Sequence, residues 1–531
     1  MKILIAEPMS PAAIDLFRKQ EGWQIIVSNP KEYEPHLADC DAMVVRSAVK
    51  VKADTLAKAP NLRLIGRAGV GVDNVDLPAA TAAGVLVMNT PGGNAVSVAE
   101  HTLAMMLSLA RQVPAASAST LSGKWEKKKF LGNELRGKTL GVIGLGNIGQ
   151  ETVRRARAFE MKIIASDPYV NPQTAADLGV TLVDMETLLA QSDYVSLHLA
   201  VTPETKKLIN AESIAKMKDG VRIINCARGE LVDLVALREA LVSGKVAGAG
   251  LDVFDPEPPP ADDPILTAPN VIASPHIGGS TEEAQEIVGI RIVEQMVEYL
   301  STGIAINAVN MPAISPEQYR AVGPYIELAE RLGKFVSYVA TGNPKSIRVT
   351  YTGRISELNT RLLRNAAVAG VLSRGLAGRV NMINSMQLTG QRNIEVGEHH
   401  GAPRSASMDS IQVEFETDAG VTSATGAVIV DKPRLVAVDG IQVECPLSGR
   451  LIYLRNHDVP GVIGHVGTVL GRNNINIANF SLGREETPAP GEKQLHAVAL
   501  VEVDGDVPET VLNQLKENPA VRLAVTVNPG E

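Results

Sequence analysis

Cysteine and aromatic side chains are scarce in this 531-residue chain, and each shortage excludes something. Cys40, Cys226 and Cys445 are its three cysteines, widely spaced, with no CxxC pair and no metal-ligand cluster. A disulfide framework and a bound metal are not expected, and the pattern is that of a reduced, cytoplasmic protein. Aromatics make up 3% of residues, so the cores must rest on Val, Ile, Leu and Ala, which suits buried parallel strands. Basic charge is also in deficit. A net charge of −8 and a pI near 5.7 argue against nucleic acid as the main partner while leaving room for local anion pockets. No apolar run reaches membrane-spanning length: the longest, 95–110, is broken by Glu100 and His101. The opening MKILIAEP reads as a buried strand and not as a signal peptide.

What is present is organised. The length predicts three or four domains. Residues 1–95 alternate short apolar runs (KILIA, WQIIV, AMVVR, LRLIGRAG, VLVMN) with helical segments, the pattern of a parallel sheet. A helical stretch from about 97 to 121 leads to a second such unit, with strands expected at 139–143, 162–166, 193–198, 221–225 and 247–251. After 281 comes a long helix whose apolar face reads as Ile287, Ile290, Val293, Val297 and Leu300. Residues 313–449 read as α+β. From 450 the pattern resets to βαββαβ, ferredoxin-like in layout.

The strongest motif is GLGNIG. Gly144, Gly146 and Gly149 make G-x-G-x-x-G between an apolar strand and a helix, and Asp167 follows 21 residues beyond Gly146. Gly144 permits the tight turn, Gly146 lets backbone approach a pyrophosphate, and Gly149 lets helix and strand pack closely. The helix N-terminus offers free N–H groups to phosphate. A carboxylate at Asp167 accepts ribose hydroxyls and repels a 2′-phosphate, so NAD is expected over NADP. Downstream, each strand ends in a polar group. Arg228 can grip a carboxylate in a bidentate fork, His276 can shuttle a proton, and Glu257 can hold the imidazole and raise its pKa.

These residues, as GLGNIG, ASD, NCARGELVD, LDVFDPEPP and SPHIGGST, resemble the D-2-hydroxyacid dehydrogenase family through the first 310 residues. The C-terminal part resembles the extra domains carried by long-form members of that family. The resemblance implies two Rossmann-like doubly wound parallel-sheet domains, an α+β intervening domain and a ferredoxin-like ACT domain. Their expected boundaries are 1–96 plus 288–312 for substrate, 97–287 for NAD, 313–449 and 450–531. It makes Arg228, Glu257 and His276 catalytic. It also lines the NAD pocket with Val70, Asn147, Ile148, Leu199, Cys226, Ala227, Asp252, Gly278 and Gly279, beside the fingerprint glycines, Asp167, Arg228 and His276. Ala200 stands where relatives usually have proline, beside Leu199.

A 3-phosphate on the substrate needs a second anion pocket. VVRSAVK offers Arg46, Ser47 and Lys50, and LIGRAGVGVDNVD offers Arg67, while the N–H groups of Gly69, Val70 and Gly71 suit a carboxylate. The resemblance places Arg46 and Arg67 near the phosphate and Asn94 near the substrate, 3-phosphoglycerate. By the ACT pattern (NHDVPGVIGHVG, NNINIANFSLGRE), Asn456, Asp458 and Asn476 contact an effector amino acid, L-serine, across a domain pair. The glycines 461, 464 and 467 are expected to pack their helix closely on a sheet. A homodimer or homotetramer is implied, with the basic segment GKWEKKKFLG (123–132) at the interface. Two alternatives stay open: a glyoxylate or other D-2-hydroxyacid dehydrogenase, and an NAD(H)-sensing protein on the same fold.

Overall fold

The computed structural model of the chain describes residues 1–376, 378–401, 408–487 and 494–530. Four sheets follow one another. The first is built from β1 (Lys2–Ile5), β2 (Gln24–Val27), β3 (Ala42–Val45), β4 (Leu64–Arg67) and β5 (Leu86–Met88). They lie in the order β2-β1-β3-β4-β5, all parallel. The runs LIGR, AMVV and LVM have almost no exposed residue, because helices cover both faces, as a parallel sheet requires.

The second sheet holds seven parallel strands: β6 (Thr139–Ile143), β7 (Lys162–Ser166), β8 (Thr181–Leu182), β9 (Tyr194–Leu197), β10 (Val221–Asn225), β11 (Val246–Leu251) and β12 (Val271–Ala273). Their order, β12-β11-β10-β9-β6-β7-β8, switches direction at β6, and an open α/β sheet binds its ligand at such a switch point. β8 and β12 escape the sequence pattern because two or three residues are too few for periodicity. The helix Ala95–Arg111 packs on β11 where Gly248 and Gly250 have no side chain, so Leu109 and Met105 can close in.

The long helix Glu282–Thr302 returns to the first sheet. Its buried face is Ala284, Val288, Ile292, Val293 and Met296, while Ile287 stands 40% exposed. Of the expected face, Val293 is buried and Ile290, Val297 and Leu300 pack partly buried against the core, while Ile287 falls outside it. The buried stripe also includes Ala284 and Gly289, too small to register as apolar markers. Met296 and Ile292 press against Gly66 of β4, a contact only small residues permit.

The third sheet, β13 (Pro344–Thr352), β14 (Glu395–His400), β15 (Ser410–Thr417), β16 (Gly420–Ile429), β17 (Lys432–Val438) and β18 (Ile441–Pro446), is antiparallel except where β13 meets β14. The last, β19 (Arg450–His457), β20 (Ile477–Arg484), β21 (His496–Val503) and β22 (Val521–Val527), has the order β20-β21-β19-β22 expected of βαββαβ. β19 reads LIYL because both its faces are covered. Leu451 and Tyr453 join the core around the helix Pro316–Val339, and Ile452 and Leu454 pack under the sheet's own two helices. The sequence boundary at 449–450 therefore divides two sheets that share one core.

In the helix Val462–Arg472 the buried residues are Val462, Val466, Val469 and Leu470. Gly464 and Gly467 are exposed, and a Cβ on either would meet nothing. The expected close packing of these glycines on a sheet is overturned: residues at i+2 and i+5 from Val462 fall on the helix's outer side.

Candidate active site

The GLGNIG turn is shaped by steric necessity. Gly144 has φ +93°, and a Cβ there would lie 2.5 Å from the His198 carbonyl oxygen; one on Gly149 would overlap the Gly144 carbonyl. Gly146, at the N-cap of the helix Asn147–Ala158, faces open space. A side chain at this cradle would fill the room that a pyrophosphate needs. Ile148 is part-buried against the core, and Asn147 lies against Gly92. Asp167, at the tip of β7, accepts the N–H groups of Leu145 (2.7 Å) and Tyr169 (2.9 Å). It is thereby fixed beside the glycine turn, and each oxygen keeps a further lone pair. These residues fit a dinucleotide.

Across the sheet tips the second cluster assembles. Gly229 allows the backbone after Arg228 to touch Phe254–Asp255, because a Cβ there would overlap the Phe254 carbonyl. Arg228 and Glu257 are thereby brought to one rim. Glu257 is anchored by the Phe254 N–H (3.0 Å), and its other oxygen meets His276 Nδ1 at 2.8 Å. That hydrogen bond raises the His276 pKa, with burial opposing it and the charges of Glu257 and Asp252 adding to it. Burial works to raise Glu257 in turn, but the bonds from His276 and Phe254 prevail, and its pKa is lowered. His276 sits at φ +53°, its N–H on the Asp252 carbonyl at 2.8 Å. A non-glycine residue in this region is held there by its surroundings, which aim the ring.

Asp252 is 1% exposed and is saturated with donors: Ser274 Oγ (2.6 Å) and the N–H groups of Ile277 (2.9 Å) and Gly278 (2.8 Å). Burial acts to raise it, yet these bonds and the nearby His101 keep it ionised and its pKa low. Gly278 and Gly279 leave no room for a Cβ against Asp252 and Asn94. Cys226 is buried, its thiol pushed up to about 12 by desolvation, so it is inert. Ala227 receives the Arg228 Nη1 donor on its carbonyl at 2.7 Å. Leu199 is part-buried behind the glycine turn.

The first sheet contributes the opposite wall. Arg67 folds over Gly69, where a Cβ would coincide with its guanidinium, and Arg228 Nη2 lies over Gly71 in the same way. Two arginines thus converge on one glycine turn. Among the described residues no protein acceptor meets the N–H groups of Gly69, Val70 and Gly71. Burial lowers the Arg67 pKa, Asp73 opposes this, and Arg228 and Arg46 contribute further lowering. Arg46 Nη1 rests on the Pro8 carbonyl at 2.9 Å, and Ser47 is exposed beside it. Three buried polar atoms on this rim have no partner: Arg67 Nε, Thr90 Oγ1 and Asn94 Oδ1. Unsatisfied buried groups are costly, and these three cluster on the wall that carries the two arginines. A cleft of about 480 Å³ opens alongside, lined by Lys50 from one wall and Glu257, Ser274 and His276 from the other.

Several residues escaped the sequence reading. Glu7, buried at the tip of β1, accepts the N–H groups of Arg46, Ala48 and Val49 and so shapes the anion loop. Its signal was an acid directly after a buried strand. Asp73 pairs with Arg228 at 3.1 Å. Asn225 bridges Ala227 N–H and Arg228 O. His101 reaches Ser274 Oγ at 3.0 Å, and it had registered only as a break in an apolar run.

The effector candidates are divided. Asn456 and Asp458 line a small cavity of about 40 Å³ in the last sheet, and the Asn456 Oδ1 there is buried without a partner. Asn476 is not on that cavity; its amide bonds Asp504 at 2.8 Å.

Comparison with known proteins adds three family matches: "D-isomer specific 2-hydroxyacid dehydrogenase, NAD binding domain" over residues 103–278, "D-3-phosphoglycerate dehydrogenase intervening domain" over 321–439, and "ACT domain" over 450–520. The D-3-phosphoglycerate dehydrogenase of Methanocaldococcus jannaschii is 42% identical over 99% of this chain and 100% of its own length. That of Bacillus subtilis is 37% identical over 98% of each. Among solved structures, an NAD-dependent formate dehydrogenase from Staphylococcus aureus in complex with NAD superimposes with a TM-score of 0.53 at 30% identity. It covers 59% of this chain and 100% of that one.

Proposed function

This chain belongs to the D-3-phosphoglycerate dehydrogenases, and on that premise we propose which of its residues perform the reaction. The enzyme oxidises 3-phospho-D-glycerate to 3-phosphohydroxypyruvate with NAD, the entry step of L-serine biosynthesis. When bound, NAD supplies the acceptor for the hydride from C2. Arg228 grips the substrate carboxylate together with the N–H groups of Gly69–Gly71. Arg46 and Arg67 take the phosphate, and Asn94 orients the substrate.

His276 removes the hydroxyl proton. Because Nδ1 donates to Glu257, the free base is Nε2. Glu257 stabilises the imidazolium that results, which is why a carboxylate and not an amide belongs there. The observation that supports this reading most is the convergence of Arg67 and Arg228 on one glycine turn within reach of the His276–Glu257 pair. A glyoxylate reductase has no use for a second anion pocket, and an NAD(H) sensor has no use for an imidazole poised on a carboxylate.

The regulatory and assembly readings are proposals of the same kind. Residues 1–96 with 288–312 form the substrate unit, 97–287 the NAD unit, 313–449 the intervening unit and 450–531 the ACT unit. L-Serine binds through Asn456 and Asp458, with Asn476 supplied by a second copy. A homodimer or homotetramer is supported by the exposed Leu121, Trp125 and Leu131, each more than 85% accessible, flanking a lysine run. Among the described residues no helix is long and apolar enough to cross a membrane, and we place the enzyme in the cytoplasm.

The test is NADH oxidation with 3-phosphohydroxypyruvate, glyoxylate or no ketoacid, each with and without L-serine. Turnover confined to the phosphorylated ketoacid is expected. Preference for glyoxylate, or no turnover on either, overturns the assignment.

A further inference from the structure

The helix Pro316–Val339 ends against the last sheet, and a cavity of about 190 Å³ lies at that joint. Its wall is drawn from two units: Thr341, Thr417 and Asp439 from the intervening one, Tyr453 and Arg455 from β19. Strand alternation places it on the opposite face of β19 from the cavity lined by Leu454, Asn456 and Asp458. The two cavities are therefore distinct and share one strand.

Two observations mark this space as built for a ligand. Tyr453 is 0% exposed, yet its hydroxyl has no hydrogen-bond partner. Leaving a buried hydroxyl unpaired costs roughly 1–3 kcal/mol, and the ring's edge-on contact with Phe335 would survive in a phenylalanine. Asp439 and Arg455 are the second observation. They are the charged residues on the wall, one of each sign, held 3.5 Å apart in a loose pair.

The free valences define the chemistry. Thr417 Oγ1 is already committed to the Thr341 carbonyl at 2.7 Å, and Asp439 Oδ1 to the Ser423 N–H at 2.7 Å. What remains is one carboxylate oxygen that can accept, a guanidinium and a phenol that can donate, and the Thr422 hydroxyl, which can do either. A wall with one charge of each sign disfavours a net cation or anion, since either would leave the opposite wall charge without a partner. We propose that this cavity binds a small zwitterion of the free α-amino acid class, its ammonium on Asp439 and its carboxylate between Arg455 and Tyr453. Occupancy ties the intervening unit to the ACT sheet through β19. The proposal does not depend on the reading of the catalytic cleft or of the Asn456/Asp458 cavity.

The test is calorimetric titration of the full-length protein with glycine, L-alanine and L-serine as probes. Binding is expected to persist in Asp458→Ala, and Tyr453→Phe and Asp439→Asn are each expected to weaken that remaining binding by about tenfold or more. Tyr453→Phe without probe is expected to melt at the wild-type temperature or above, so lost binding cannot be mistaken for unfolding. The proposal is overturned if Asp458→Ala abolishes all binding of the three probes, or if neither cavity variant changes what remains. It is equally overturned if Tyr453→Phe lowers the melting temperature by the same amount with and without probe, which would assign the hydroxyl to packing alone.

Discussion

Two glycine-rich strand-to-helix turns in this chain look alike as text and differ in physics. In GLGNIG, Gly144 and Gly149 are where they are because any side chain would strike the backbone of His198 or of Gly144 itself. In GVIGHVG, Gly461 takes a left-handed conformation at the helix start (φ +94°), but Gly464 and Gly467 point to open surroundings. The first turn presents a bare helix N-terminus next to a fixed carboxylate, Asp167. The second has Asp458 and Pro460 ahead of it and a cavity too small for a nucleotide. Glycine spacing alone does not define a phosphate cradle; what the missing side chains would hit does.

The contrast breaks most visibly if the chemistry is not beside the first turn. His276→Ala is expected to lower kcat for phosphoglycerate oxidation by roughly 10²–10⁴-fold, read from initial rates at saturating substrate; an unchanged kcat would displace the acid–base assignment. Next in size is Gly149→Ala. Its Cβ would overlap backbone, which cannot move aside as a side-chain tip can. A loss of roughly 1–3 kcal/mol in stability, with weakened NAD binding by fluorescence titration, is expected.

The pH dependence sharpens the same side of the contrast. Oxidation needs the neutral imidazole, so kcat/KM rises as pH climbs through the His276 pKa, which Glu257 holds above the ordinary histidine value. In Glu257→Gln that rise should move to lower pH. In the reductive direction, which needs the imidazolium, activity falls with rising pH, and the variant should lose it at lower pH than wild type. A pH profile that does not move would detach Glu257 from the proton step. The smallest effect belongs to the second turn: Gly464→Ala, on an exposed helix face with no neighbour, should stabilise by about 0.5–1 kcal/mol and leave turnover unchanged. Destabilisation would mean that this face is covered.

Much of this was legible in the residues. Strands read from apolar runs because parallel strands bury both faces, and Arg228, Glu257 and His276 were found because each follows a strand end. Less legible was anything set by contact between distant segments. Glu7 acts on the loop 46–49 across the sheet, and Asp73 reaches Arg228 over 155 positions of sequence. In the helix 282–302 only Ile287 of the expected face stands outside the core, while Ala284 and Gly289, which carry no apolar signal, lie buried. The shared core of the last two sheets was hidden because β19 is apolar on both faces, which a sequence shows only as an uninterrupted run.

The account stands on two arginines meeting at one glycine turn to receive a doubly anionic substrate. Its most direct test compares kcat/KM for 3-phospho-D-glycerate and for unphosphorylated D-glycerate in the wild type and in Arg67→Ala. The wild type should favour the phosphorylated acid strongly, and the variant should lose about tenfold or more of that preference, mainly through KM. Equal rates on the two acids in the wild type, or a preference untouched in the variant, would contradict it.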